Sequence, residues 1–153
     1  MNAIAPRESR QVLLPVVPVR IRAGGRSLET FALLDSGSEG TLLLREAADA
    51  LGLKGHRQKV RFGTFHGEDP MVETRQVNFS IASLINSKEF SVSDAYVVPT
   101  LNVRRHRVAL SFETIPYLRD LKIPVRSSQD VKLLIGMDVQ DLHLYDDVRR
   151  PPI

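Results

Sequence analysis

The chain has 153 residues, enough for one domain with its own core, and its formal charge of +3 is too mild to single out an anionic partner. It has no cysteine, which excludes disulfides, thiol catalysis and cysteine-based zinc sites. No stretch approaches the ~18 apolar residues of a membrane helix, and the opening Met1-Asn2-Ala3-Ile4-Ala5-Pro6-Arg7-Glu8 lacks the apolar stretch of a secretory signal.

Residues 1–11 read as a loose arm. Residues 12–22 are β-branched and apolar, and Pro15 and Pro18 confine them to an edge or to a break between short strands, because proline cannot donate to a ladder. Ala23-Gly24-Gly25-Arg26 signals a hairpin turn, with residues 28–34 as the returning strand. A short helix is predicted over 45–51, ended by Gly52. Residues 60–72 read as a β-hairpin with a glycine-rich tip around Gly63 and Gly67. Two paired strands follow at 76–82 and 90–98, turning at Asn86-Ser87-Lys88.

Beyond them the pattern loosens. The basic cluster Arg104-Arg105-His106-Arg107 has no aromatic partners for stacking bases, so it reads as a solvated loop and a nucleic-acid role is not expected. A strand candidate lies at Val108-Ala109-Leu110 and a short amphipathic piece at 115–121. An apolar run ending in glycine, Val131-Lys132-Leu133-Leu134-Ile135-Gly136, leads into a short helix predicted over 137–142. Residues 147–153 read as a linker, which leaves 12–146 as the domain. Many short strands with Gly and Pro turns, and neither a bundle-length helix nor an alternating strand–helix order, argue for an all-β closed or folded sheet.

The chemistry concentrates at Asp35-Ser36-Gly37. An apolar run, Phe31-Ala32-Leu33-Leu34, delivers one acid into a tight turn, and Thr41-Leu42-Leu43-Leu44 leaves it. The three residues alone fit a turn, since Asp and Ser bond nearby backbone and Gly bends freely. The longer string Ala32-Leu33-Leu34-Asp35-Ser36-Gly37-Ser38 resembles the catalytic loop of the retroviral-type aspartic proteases, the retropepsins. Leu133-Leu134-Ile135-Gly136 resembles the strand that threads past and supports that loop in the same family. With the Leu51-Gly52-Leu53 ending of the predicted helix, Ile115-Pro116-Tyr117-Leu118-Arg119-Asp120-Leu121 and Leu134-Ile135-Gly136-Met137-Asp138, the order is most similar to the peptidases of Bel/Pao-type retrotransposons.

The resemblance implies a retropepsin-like closed β-barrel with one or two short helices, and an aspartic endopeptidase that processes a polyprotein. Asp35 would supply one half of a catalytic dyad. Ser36 would bond across a dimer, and Gly37 would leave its carbonyl free for substrate backbone. Ser38 and Glu39 would line the cleft, while Phe65, His66 and Gly67 would cover it as a flap. Leu34, Leu134, Ile135 and Gly136 would support the loop. Such chemistry needs two carboxylates around one water, and no second Asp-Ser/Thr-Gly occurs in the chain, so the dyad requires a homodimer. An extended peptide is the expected substrate; no metal or organic cofactor is expected, and no membrane partner. The expected location is the cytoplasm or a retroelement particle. Two departures stand out. Met137 occupies the place where retroviral members usually carry an arginine that pairs with an acid at the position of Glu39. Residues 146–152 also make a poor terminal strand. These departures leave a second reading, a non-catalytic dimeric binding or scaffold module of the same fold.

Overall fold

The computed structural model describes residues 14–64, 67–68, 70–86, 88–101, 103, 114–121 and 130–153. Among the described residues nine strands and one α-helix follow in chain order: β1 (Val16–Ala23), β2 (Arg26–Leu34), β3 (Leu42–Leu44), α1 (Arg45–Ala50), β4 (His56–Val60), β5 (Gly63–Thr64), β6 (Gly67–Glu68), β7 (Val72–Ser83), β8 (Glu89–Val98) and β9 (Val131–Ile135). The strands pair in the order β1-β2-β9-β3-β8-β7, and β7 pairs back onto β1, so six of them close into a barrel. The expectation of a mainly-β closed barrel with little helix therefore holds.

Alternation explains the closure. Along β1 the buried side chains are Val19 and Ile21; along β7 they include Val77, Phe79 and Ile81. Ile21 meets Ile81 where β1 pairs with β7. Leu43 and Leu133, both fully buried, face each other where β3 pairs with β9. With Ile135, Val92 and Val97 they form one contiguous core. Burying such a side chain is worth roughly 1.5–3 kcal/mol.

Local signals set the boundaries. Gly24 takes a positive φ of 57° in the β1–β2 turn, as the Gly-Gly signal predicts. Pro18 sits opposite Phe31 of β2, just outside the stretch of β1 that also pairs with β7, so the donor it lacks is not needed there. Among the described residues the strand begins at Val16; residues 12 and 13 lie outside them. Helix α1 is capped at Leu51 and followed by Gly52, whose φ of 66° reverses the chain while its N–H donates to the Asp49 carbonyl at 3.1 Å.

The predicted hairpin is longer than its sequence suggests. Val60 pairs with Val72, and the pairing continues down to His56 opposite Gln76, so β4 and β7 form its stem and β5–β6 its upper ribbon. The helix predicted over 137–142 is a correction. Only a 3-10 turn forms, at Gln140–His143. The backbone bonds there reach back three residues, from the Val139 N–H to the Gly136 carbonyl at 3.3 Å and from the Leu142 N–H to the Val139 carbonyl at 3.2 Å, and Val139 lies outside the helical region at φ −112° and ψ 71°. The piece at 115–121 is likewise a 3-10 turn, Pro116–Leu118. The predicted strand at 108–110 and the basic cluster at 104–107 lie outside the described residues.

Candidate active site

β2 pairs in parallel with β9, and β9 pairs antiparallel with β3, so β9 lies between the strand that enters the Asp35 turn and the strand that leaves it. Leu34 sits opposite Ile135, and Leu42 opposite Leu134. Leu133, Leu134 and Ile135 thus run beside both arms of the Asp35 turn. Ile135 is buried at 1% exposure, Leu34 packs against the core, and Leu134 reaches the cleft.

The turn is held by its own backbone and by this strand. The Asp35 N–H donates to the Ile135 carbonyl at 2.9 Å, and the Ser38 N–H donates back to the Asp35 carbonyl at 3.2 Å. The Gly37 N–H donates to Asp35 Oδ1 at 2.9 Å, which fixes the carboxylate's rotation and leaves Oδ2 for other partners. A Cβ on residue 37 would stand 3.3 Å from that same oxygen, so glycine keeps the approach to the carboxylate clear. Asp35 is half-buried; Ser36 and Gly37 are exposed at the tip of the turn.

Behind the turn lies a polar brace that the motifs do not announce. Thr41 is fully buried. Its hydroxyl donates to Asp138 Oδ1 at 2.7 Å, its N–H donates to Asp138 Oδ2 at 3.2 Å, and its oxygen accepts the Gly136 N–H at 3.2 Å. The Gly136 carbonyl accepts from His143 Nε2 at 2.9 Å, which puts the imidazole proton on that nitrogen. Gly136 fits because it has no side chain: a Cβ there would stand 2.7 Å from the Gly40 carbonyl carbon and 2.8 Å from the Ser38 carbonyl oxygen. The one hint in sequence is a threonine opening the leucine run 42–44 and an acid two residues after the supporting glycine.

Asp35, Gly37, Ser38 and Glu39 line an open cleft of about 1930 Å³, bounded beyond them by the hairpin stem and β8. The Tyr96 ring packs 3.5 Å from where a Gly40 Cβ would lie and meets Phe62 edge-on, with centroids 5.8 Å apart. The stem therefore touches the loop through an aromatic pair. Of the expected flap residues, Gly67 lies in β6, and Phe65 and His66 fall outside the described residues. Glu39 is exposed and has no ion-pair partner among the described residues; Met137 is 38% exposed.

Sequence reasoning also passed over the charge on the hairpin stem. Lys54, His56, Arg57, Lys59 and Arg61 fall within eight residues, and Lys54, Arg57 and Arg61 line the cleft. Among the described residues no group of three or more His, Cys, Asp or Glu side chains is placed to hold a metal ion, and no helix is long and apolar enough to cross a membrane.

A family model described as aspartyl protease matches residues 17–139. No curated protein matches the chain. Among solved structures, the chain is similar to an EIAV protease complexed with the inhibitor HBY-793, at 17% identity over 95% of this chain and 100% of that one, with a TM-score of 0.47.

Proposed function

Since the chain belongs to the aspartyl protease family, we propose that it is an aspartic endopeptidase of the retroviral and retrotransposon type, acting as a homodimer on extended segments of a polyprotein. The observation that carries this reading is the single Asp35 carboxylate, held by the Gly37 N–H at the edge of an open cleft of about 1930 Å³. Similarity to Bel/Pao-type peptidases, the cytoplasm or a retroelement particle as the place of action, and the one-domain division at 12–146 belong to the same proposal.

The chemistry follows from two carboxylates. Two acids within hydrogen-bond reach of one water cannot both ionise, so they share a proton, as is established for aspartic proteases generally. The ionised one takes a proton from water as the oxygen attacks the scissile carbonyl. The other donates its proton to the carbonyl oxygen. The resulting gem-diol collapses as a proton passes to the amide nitrogen, which breaks the C–N bond. One chain supplies one such acid, so the second Asp35 comes from a symmetric partner. Leu14 and Met137 support a face for that partner. The Pro15 carbonyl next to Leu14 accepts the Leu34 N–H at 2.9 Å, Met137 is bonded to Ser38, and both side chains are exposed beside the turn.

The test is cleavage of a diverse peptide library across mildly acidic pH, beside Asp35→Asn. Cleavage by the parent alone, rising faster than linearly with protein concentration, is the expected result. Cleavage that survives Asp35→Asn overturns the reading. A folded dimer that cuts nothing favours the scaffold module instead, which the missing arginine at Met137 motivates.

A further inference from the structure

β4 is the outer strand of the sheet. Among the described residues it pairs with β7 alone, so its other edge offers free N–H and C=O groups. Lys54, His56, Arg57, Lys59 and Arg61 run along it and its flanks, and residues 54–59 are all exposed. The opposing strand answers with one acid: Glu73 sits opposite Lys59 and reaches Arg57 at 3.5 Å. Arg57 faces Arg75 across the ladder, and Arg75 is already committed to Asp49. Arg57 remains 86% exposed despite its pairing.

A charged edge resists pairing with other sheets, but charge of either sign does that. This edge carries one sign, and Lys54, Arg57 and Arg61, with Arg45 from α1, line the cleft that holds Asp35. Lys54 and Arg45 have no ion-pair partner among the described residues. The cleft is thus polarised, with Asp35, Glu39 and the Thr41-bound Asp138 at the loop end and cations along the hairpin stem. Glu73 and Asp94 are the other acids on its lining.

We infer that this basic edge strand is a docking rail for acidic side chains flanking the scissile bond, and that substrates carry Asp or Glu several residues from the cleaved peptide. The inference rests on the protease reading. An extended peptide satisfies the free edge by adding a strand while its carboxylates meet the cations. A nucleic acid fits less well, because β4 presents no Phe, Tyr or Trp on which a base could stack.

The experiment compares peptides sharing one apolar core and differing only in flanks, Asp/Glu against Asn/Gln. Binding of their reduced-amide, uncleavable forms to the intact protein is read by fluorescence anisotropy, and cleavage of the natural forms by kcat/KM. Acidic flanks should improve both by roughly three- to tenfold at low salt, the scale expected of a few exposed charge pairs. The advantage should shrink toward unity at high salt and in the triple variant Lys54→Gln/Arg57→Gln/Lys59→Gln, whose substitutions are all at exposed positions. Equal binding of the two peptides, or binding of neither, overturns the inference. So does a single-stranded RNA oligonucleotide that binds the parent and not the triple variant while the peptides show no charge preference. If no peptide is cut, the protease reading fails, and the anisotropy still decides whether the strand selects acids.

Discussion

Thr41 holds both oxygens of Asp138, one with its hydroxyl at 2.7 Å and the other with its backbone N–H at 3.2 Å. The two residues are 97 positions apart, and the bond ties the strand leaving the Asp35 turn to the chain leaving β9. It joins the loop to the strand beneath it. Because the Thr41 hydroxyl also accepts the Gly136 N–H, two polar groups depend on one buried hydroxyl.

Replacing Thr41 with valine keeps the shape and removes the hydroxyl. The Gly136 N–H and one Asp138 oxygen then lose their partner, which should cost about 1–3 kcal/mol of stability, as expected for buried polar groups left unsatisfied. Urea denaturation measures it. Asp138→Asn keeps one acceptor oxygen and should lose less; a larger loss from Asn than from Thr41→Val would refute the brace.

Gly136→Ala should be worse than an ordinary surface Gly→Ala. The added methyl meets backbone atoms of Ser38 and Gly40, which cannot rotate away as a side chain can. Overpacking of this kind costs roughly 1–3 kcal/mol. Amide NMR shifts at Ser38 and Gly40 should move with the loss of stability, whereas Gly25→Ala, with open space around it, should leave the same shifts unchanged.

Activity of a dyad built from two Asp35 side chains should follow a bell-shaped pH profile centred in mildly acidic solution. On the acid side both carboxyls are protonated and none takes the water's proton. On the alkaline side both are ionised and none donates to the carbonyl. A kcat/KM profile that stays flat well above neutrality excludes the shared proton.

The terminal segment makes a separate prediction. Arg149 forks onto both carboxylate oxygens of Asp120, at 2.8 and 3.1 Å, and donates to Asp147 at 2.7 Å and to the Tyr117 carbonyl at 3.2 Å. Its hydrogen bonds hold the Asp120 carboxyl below its ordinary range. A depressed carboxyl contributes stability above its unfolded pKa and loses it as pH falls through the folded one. The tail around Arg149 should therefore exchange amide hydrogens faster once the solution is acid enough to protonate Asp120. Arg149→Ala should produce the same rise at neutral pH. The global stability should hardly move, because both groups are exposed.

The sequence made the loop and its support readable because each is a short, local pattern: an acid in a turn after an apolar run, and an apolar run stopped by glycine. Other features were hidden for physical reasons. β4 has five side chains with almost no burial, so no alternation marks it; only backbone pairing with β7 makes it a strand. The helix predicted over 137–142 failed because Val139 leaves the helical region and the bonds around it reach back three residues instead of four. Thr41 and Asp138 meet only after the barrel closes, and nothing in either local sequence names the other.

β7 serves two bodies at once. Residues 80–83 are sealed into the barrel against β1, and residues 72–76 carry the hairpin stem against β4. Between them the register with β8 slips, at 77–79, and there Asp94 adopts a positive φ of 57° with its N–H on Asn78 Oδ1 at 2.8 Å. The slip lets one strand serve two partners in two registers: the exposed, charged pairs of the stem with β4 and the buried pairs of the barrel with β1 need not share one alignment.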